Sequence, residues 1–177
     1  SDALKPMDAR KKMLSKKINC PVTSSAGRLF DAVSSLLGIC DRSNFEGQAA
    51  MTLEFAADPD ISESYHFNIK DGKLLIVDWQ PMVKEIITDL KGGINSSSIS
   101  GKFHNTLADI IVKVAEKVGE EKVILTGGCF QNVLLLEKTI DHLESKGFYV
   151  YWHQRVPPND GGISLGQVAV AMSKLKK

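Results

Sequence analysis

The sequence predicts an α/β fold, and the observations that predict it lie in the last third of the chain. A short apolar strand at 123–125 leads through Thr126 and two glycines into a helix from about 131 to 145. A second apolar strand at 148–152 leads through a proline- and glycine-rich turn into a closing helix at 163–175. Strands that alternate with helices in this way pair in parallel and form one layer of an α/β protein.

The first two thirds of the chain add helices and one hairpin to this plan. Asp71-Gly72 separates two apolar segments and favours a two-residue type I′ turn, because both central positions of that turn need positive φ. Apolar residues at helical spacing predict helices from Gly27 to Gly38, at 45–57, from Pro81 to about Leu90, and at 98–118.

Composition and charge restrict the function classes. The chain has 177 residues, of which 43% are hydrophobic and 24% charged, a balance typical of one globular domain or two small subdomains. Its formal net charge of +1 gives no global electrostatic reason to bind nucleic acid or an acidic membrane. No apolar run reaches the roughly 18 residues of a membrane-spanning helix.

The cysteines and the basic N-terminal residues bear on compartment and domain boundaries. Cys20, Cys40 and Cys129 stand far apart with no CxxC pair, which predicts reduced thiols in a cytoplasmic protein and no zinc site. Residues 1–22 are basic and weakly periodic, so they are expected to form an N-terminal segment or linker. The folded part is then expected to span 23–177.

The first candidate site is the loop at residues 127–132, called here the glycine loop. Tandem glycines, Gly127 and Gly128, directly follow a buried strand, so the backbone can approach a ligand closely. The next helix is expected to direct free N–H groups and its positive dipole end at the same place, which would suit a phosphate or a carbonyl. The alternative is a tight strand-to-helix turn with Asn132 as an ordinary first-turn residue, and spacing leaves both readings open.

The second candidate is Asp160, in the segment at 157–162 called here the proline turn. Flanking prolines and glycines would hold its carboxylate towards a cleft, where oxygen ligands suit a divalent metal. Its position just before a helix also suits an ordinary N-cap. One carboxylate does not make a metal site, so spacing alone favours the cap.

The third candidate combines Asp31 with Glu46 and Gly47. Asp31 interrupts an apolar helical face, and its carboxylate could accept hydrogen bonds from ribose hydroxyls. Glu46-Gly47, at the start of the next predicted helix, would allow close backbone approach to a ligand. Helix capping is the alternative, and spacing alone favours it.

The histidines and Cys129 give weaker indications. His66, His104, His142 and His153 show no metal-binding spacing, and only His153, beside the proline turn, is expected to approach the cleft. Cys129 could be a nucleophile at a helix N-terminus, where thiol pKa falls, but a small side chain packed beneath the glycine loop is the favoured interpretation. No catalytic residue is predicted.

Four segments taken in order carry a specific resemblance: SSAGRLFDAV at 24–33, FEGQAAM at 45–51, GGCFQN at 127–132 and PPNDGGISLGQ at 157–167. Together they resemble the C-terminal part of the hydrogenase maturation carbamoyltransferases of the HypF family, from about residue 23 to residue 172. The resemblance implies a lobe of the actin-like (ribonuclease H-like) ATPase superfamily, with a mixed sheet flanked by helices.

The resemblance also implies an activity, cofactors and a partner. Members of this family consume carbamoyl phosphate and ATP and form carbamoyl-adenylate. They place the carbamoyl group on the C-terminal cysteine of the partner protein HypE, on the way to the cyanide ligands of NiFe hydrogenase. A divalent metal (iron, zinc or magnesium) in the complete domain would polarise the carbamoyl carbonyl for attack by the partner thiolate.

Site residues follow from the resemblance position by position. Asp160 matches the late metal-ligand aspartate of the transferase domain, and Cys129 stands where several relatives carry a small apolar residue. The residues that match the family's nucleotide site are Asp31, Glu46, Gly47, Gly127, Gly128 and Asn132.

One departure from the family pattern concerns the metal. In this family two histidines spaced HxxxH complete the metal site, and this sequence has no such pair. The chain therefore resembles the second part of an incomplete transferase domain, and we expect it to be inactive alone. The alternatives are a tRNA or small-molecule carbamoyltransferase of the same fold, and a non-catalytic nucleotide-binding lobe.

Overall fold

The computed structural model describes residues 6–175, with only the backbone described for residues 6–10. Seven helices and four strands occur in this part of the chain, with short 3-10 turns before the last two helices. The elements are, in chain order, α1 Pro6–Ser15, α2 Ala26–Leu36, α3 Gln48–Ala56, β1 Asn68–Lys70, β2 Ile76–Asp78, α4 Gln80–Lys91, α5 Ser96–Val118, β3 Lys122–Leu125, α6 Val133–Ser145, β4 Tyr149–Trp152 and α7 Ile163–Leu175.

The parallel unit predicted for the last third is present. Strands β3 and β4 pair in parallel, from Lys122 opposite Tyr149 to Leu125 opposite Trp152, and α6 makes the crossover between them. The α/β fold class is confirmed, with parallel and antiparallel pairs both flanked by helices. The two kinds of pair belong to separate two-stranded sheets, because β1 and β2 pair only with each other in the described residues.

The hairpin forms, but the predicted type I′ turn is wrong. Ile69 lies opposite Val77 and Lys70 opposite Ile76, so a five-residue loop at 71–75 joins the strands. Gly72 does not adopt positive φ. The Asp71 carboxylate accepts from Lys117 Nζ on α5 at 2.7 and 2.9 Å, so a contact with a distant helix anchors the loop.

The core is organised around α5, whose apolar and small polar side chains are buried on several faces. Phe103 of α5 meets Phe30 of α2 edge to face, with ring centroids 5.1 Å apart. A smaller cluster formed by Val112, Leu125 and Leu143 lies under the parallel strands. The main cluster comprises Phe30, Val33, Leu53, Tyr65, Met82, Ile86, Ile99, Phe103, Ala108 and Leu135.

Polar groups of α5 also hold the segment at 58–65. Asn105 Nδ2 donates to the carbonyls of Ile61 and Glu63, both at 2.8 Å, and Thr106 Oγ1 accepts from the Tyr65 N–H at 2.8 Å. These bonds pair backbone groups that would otherwise be buried without partners. α5 is therefore both the core helix and the support for an irregular segment.

Smaller differences from the sequence predictions lie at element ends. α3 begins at Gln48, so Glu46 and Gly47 precede it, and α6 begins at Val133 after a 3-10 turn at Gly128–Gln131. α1 lies within the segment expected to be a linker, and the boundary at residue 22 stays a prediction. None of the helices within residues 6–175 has the length and apolar character to cross a membrane.

Replacing Gly101 of α5 with alanine should destabilise the chain. A Cβ at Gly101 would lie 2.5 Å from the Asp58 carbonyl oxygen, so the helix and the 58–65 segment would have to separate. We expect a loss of about 2 kcal/mol in the free energy of unfolding, despite the better helix propensity of alanine. Urea denaturation measures it.

The matched control is Gly166→Ala in α7, where an added Cβ meets nothing within 4 Å. There the gain in helix propensity, up to about 1 kcal/mol, should appear without opposition. If the two substitutions change the free energy of unfolding equally, the close approach of the Asp58 carbonyl is not the reason for glycine at position 101.

Candidate functional site

One cleft of about 670 Å³ brings the four sequence-predicted segments together. Its walls come from the start of α2, the residues before α3, the glycine loop and the proline turn. The sequence-predicted residues that line it are Asp31, Glu46, Gly47, Gly128, Asn132 and Asp160. The structure therefore gathers residues that are up to 129 positions apart in sequence, although no local pattern linked them.

Gly127 has a different place from the other predicted residues. It is not among the described residues that line the cleft. Its N–H donates to the Pro158 carbonyl at 2.8 Å, and its φ of +109° strongly favours glycine. Gly127 thus joins the glycine loop directly to the proline turn, so that the two segments form adjoining walls of one cleft.

Asp160 is not the helix cap that its spacing favoured. Asn159 takes that role, because its Oδ1 accepts from the Gly161 N–H at 3.0 Å. Asp160 is the first residue of the 3-10 turn at Asp160–Gly162 and lies at the cleft surface. No hydrogen bond or ion pair within residues 11–175 engages its carboxylate, which leaves that group available to a ligand.

The N-terminus of α6 is not open to a ligand, contrary to the sequence expectation. Oε1 of Glu54, on α3, accepts from the N–H groups of Val133 at 2.6 Å and Leu134 at 3.2 Å. Oδ1 of Asn132 accepts from the Leu135 N–H at 2.7 Å. The three N–H groups that would make the anion site of a helix are therefore already bonded within the protein.

The backbone donors left for a ligand lie earlier, in the glycine loop. Phe130 and Asn132 donate their N–H groups back to Gly127 and Cys129 within the loop. The N–H groups of Gly128 and Cys129 donate to no backbone carbonyl in the described part of the chain. Both residues line the cleft, so close backbone approach remains the role that the glycine loop can play.

His104 is a site residue that the sequence analysis missed. It is fully buried on α5, and its Nε2 lies 2.9 Å from Nδ2 of Asn132. The expectation that His153 alone approaches the cleft is wrong: His153 bonds Thr126 at 2.9 Å and is absent from the described cleft lining. A sequence pattern that could have indicated His104 is its spacing from Ser100: both are polar, and they lie four residues apart on a helix with an apolar face.

Asp31 and Glu46 place carboxylates on the opposite wall. Asp31, about one third exposed, pairs with Arg28 at 3.0 Å on the first turns of α2. Glu46 is exposed, and Gly47 has a φ of +83°, a conformation that turns the chain into α3. Both carboxylates can therefore reach a ligand that enters the cleft.

Cys129 and the acidic residues offer little chemistry by themselves. Burial raises the pKa of the Cys129 thiol, which disfavours the thiolate that a nucleophile needs. Within the described residues no group of three or more histidine, cysteine or acidic side chains could hold a metal ion. Asp160 can supply one ligand, and a complete metal site needs further ligands from outside these residues.

Comparisons with known proteins agree with this architecture. Residues 3–167 match a family model described as a carbamoyltransferase Kae1-like domain, second subdomain. Carbamoyltransferase HypF of Synechocystis sp. is 46% identical over 151 residues, covering 84% of this chain. The Rhodobacter capsulatus protein of the same name is 39% identical over 176 residues, covering 97%.

Solved structures give the same result. The crystal structure of full-length HypF in its phosphate- and nucleotide-bound form superposes with a TM-score of 0.87 at 39% identity, covering 97% of this chain and 23% of that one. HypF from T. kodakarensis superposes with a TM-score of 0.75 at 27% identity, covering 96% of this chain and 22% of that one.

The fold and the family match define the class as a Kae1-like carbamoyltransferase domain, of which this chain corresponds to the second subdomain. More narrowly, the chain belongs to the HypF family. It spans 19% and 22% of the length of the Synechocystis and Rhodobacter proteins, respectively.

Removing the Glu54 carboxylate should destabilise α6 at its start. Glu54→Ala leaves the Val133 and Leu134 N–H groups without their partner, and we expect a loss of about 1–2 kcal/mol in the free energy of unfolding. Glu54→Gln retains an acceptor oxygen and should lose less. Glu137→Ala, at an exposed position of α6, is the control and should change stability by no more than about 0.5 kcal/mol.

His104 should make stability depend on pH. Burial lowers the pKa of His104 from 6.5 to about 4 in the folded chain. The unfolded state therefore binds a proton between pH 6.5 and 4 that the folded state does not, and stability is lost as pH falls through this window. At about 1.4 kcal/mol per pKa unit, the loss by pH 4 is about 3 kcal/mol.

Carboxylates also titrate near pH 4, so the measurement is the difference from His104→Gln. Urea denaturation at pH 7, 5.5 and 4 should give a steeper loss for the unsubstituted chain than for the variant. Parallel losses in the two proteins would exclude His104 as the source.

Proposed function

We propose that the cleft binds a nucleotide and that the chain is the nucleotide-binding part of a carbamoyltransferase. The observation that carries this proposal is the convergence of α2, the segment before α3, the glycine loop and the proline turn on one cleft of about 670 Å³. That volume lies within the usual range for small-molecule sites, roughly 300–1,000 Å³. Support also comes from the relative whose crystal structure is in a phosphate- and nucleotide-bound form.

Within this proposal the residues have separate tasks. Glu46 and Asp31 accept hydrogen bonds from the ribose hydroxyls, since both present carboxylates on the α2–α3 wall. The N–H groups of Gly128 and Cys129 donate to phosphate or carbonyl oxygen on the glycine-loop wall. Asn132 contributes by shaping the loop, because its side chain is already bonded to His104 and to Leu135.

The charge of the cleft favours a cation beside the nucleotide. Four carboxylates line it, from Asp31, Glu46, Glu54 and Asp160, whereas Arg28 is the one basic side chain among the described lining residues. Phosphate oxygens would be repelled in such a cleft unless a cation were bound with them. We therefore propose that Asp160 is one ligand of a divalent metal (iron, zinc or magnesium) and that the complete domain supplies the others.

The reaction proposed for the complete protein is carbamoyl transfer from carbamoyl-adenylate, made from carbamoyl phosphate and ATP, to the C-terminal cysteine of HypE. The thiol loses its proton, and the thiolate sulfur attacks the carbamoyl carbon. A carbon–sulfur bond forms, the carbon–oxygen bond to the adenylate breaks, and AMP leaves with that electron pair. A divalent metal supplies polarisation of the carbamoyl carbonyl when bound. The product supports cyanide-ligand synthesis for NiFe hydrogenase.

Asp160→Asn tests the ligand assignment in this chain. Isothermal titration with ADP should give binding that strengthens on addition of Mg²⁺, and the substitution should remove that strengthening and weaken binding about tenfold. Asp141→Asn makes the same chemical change at an exposed position of α6, away from the cleft, and should bind as the unsubstituted chain does. Equal affinity in both variants would exclude Asp160 from the site.

Transfer itself is tested with the complete parent protein. With carbamoyl phosphate, ATP and HypE, mass spectrometry should show a carbamoyl adduct on the C-terminal cysteine of HypE, and the 177-residue chain alone should form none. A parent protein that binds nucleotide without any transfer would overturn the enzymatic proposal. Transfer to tRNA or to a small-molecule hydroxyl instead would overturn the proposed acceptor.

A further inference from the structure

His104 lies directly behind the cleft wall and takes part in a chain of hydrogen bonds that ends at the glycine loop. Its Nδ1 is 2.8 Å from the Ser100 carbonyl oxygen, and its Nε2 is 2.9 Å from Nδ2 of Asn132. The Asn132 Oδ1 accepts from the Leu135 N–H at 2.7 Å. Ser100 Oγ donates to the Leu53 carbonyl at 2.6 Å, which ties the same turn of α5 to α3.

These contacts fix the tautomer of His104. A carbonyl oxygen only accepts, so Nδ1 must carry the proton and donate to Ser100. Nε2 of the neutral ring is then an acceptor, and it receives an N–H from the Asn132 amide. The amide orientation agrees, because Asn132 Oδ1 already faces the Leu135 N–H. Each polar atom of the His104 and Asn132 side chains is therefore assigned as either a hydrogen-bond donor or an acceptor, without conflict.

The consequence is that both ends of the Asn132 amide are held by the protein. Asn132 is 7% exposed. Its side chain is held from behind by these two hydrogen bonds, and its backbone forms the end of the glycine loop. The other end of the loop is held by the bond from the Gly127 N–H to Pro158. Between these two anchors lie Gly128 and Cys129, whose N–H groups donate to no backbone carbonyl among the described residues.

Packing alone does not require a histidine at this position. The ring lies edge to face against Phe30 and Phe103, with centroids 5.7 and 5.6 Å away, and another aromatic ring would keep such contacts. Only an acceptor at the position of Nε2 keeps the bond to Asn132. A phenyl ring there would leave a buried amide N–H without a partner.

We propose that His104 is a positioning residue of the nucleotide site, which fixes the glycine loop through Asn132 without touching the ligand. This inference rests on the proposed function for the identity of the ligand. The positioning of the glycine loop by His104 does not depend on which ligand binds, because its contacts lie within this chain. The positioning role also explains why His104, a polar residue with no exposed surface, is buried behind the cleft.

Two amide substitutions separate positioning from core filling. In His104→Gln the side-chain oxygen reaches about as far as Nε2 and can accept from Asn132, but the contact with Ser100 is lost. In His104→Asn the amide nitrogen can still donate to Ser100, but nothing reaches Asn132. Both variants lose the ring that packs on Phe30 and Phe103, so they form a matched pair.

The readouts are the NMR signals of the Gly128, Cys129 and Asn132 amides and the affinity for ADP with Mg²⁺. We expect His104→Asn to shift these signals and weaken ADP binding about tenfold, a change typical of one lost buried hydrogen bond. His104→Gln should leave the signals close to their positions in the unsubstituted chain and the affinity within about twofold.

Asn132→Ser provides a second route in case His104→Asn does not fold. Serine is a good N-cap and can keep the bond from Leu135, but its side chain is too short to reach His104. It should shift the Gly128 and Cys129 signals as His104→Asn does.

The outcomes distinguish this inference from the proposed function. If ADP binds and the two histidine variants change the loop signals and the affinity equally, His104 only fills the core and the inference is wrong. If ADP does not bind the unsubstituted chain, while His104→Asn and not His104→Gln shifts the loop signals, the positioning role stands and the assignment of nucleotide to the cleft fails.

Discussion

The hydrogen bonds at the N-terminus of α6 are the constraint on which the cleft depends. Helix N-termini leave N–H groups unpaired, and here they are bonded to Glu54 from α3 and to Asn132 from the glycine loop. Asn132 is in turn held by His104 from α5. One helix end therefore joins the adjacent glycine loop to α3 and α5, two elements that are distant in sequence. α2 completes the arrangement, because Phe30 packs against the same histidine ring.

This arrangement changes which groups can act on a ligand. The parallel strand–helix–strand unit suggests that a ligand should meet the first turn of α6, but those donors are used internally. The ligand-facing groups are instead the glycine-loop backbone at Gly128 and Cys129 and the carboxylates on the other walls. A loop anchored at Gly127 and Asn132 costs little further ordering when a ligand binds, because its backbone is already held in place.

The parts of the fold that sequence predicts are those set by local pattern. The β3–α6–β4 unit follows from apolar strands, glycines and helical spacing, and the four ordered segments indicated which residues meet in the cleft. The predicted hairpin turn was wrong: strand pairing stops at Lys70 and Ile76, and Asp71 in the longer loop between them pairs with Lys117, 46 residues away. Glu54 and His104 escaped notice because their partners lie 79 and 28 residues away, and a buried histidine on a helix otherwise resembles a packed core residue.

The distribution of charge in the cleft argues that this lobe works together with another. A cleft lined by four carboxylates and one arginine would repel phosphate, and the arginine is already paired with Asp31. A cation would reverse that repulsion, yet no cluster of three metal-ligating side chains occurs within the described residues. If a metal binds as proposed, its remaining ligands come from another part of the complete protein. The metal would then bind where two lobes meet, and nucleotide affinity and lobe closure would be linked through the same ion.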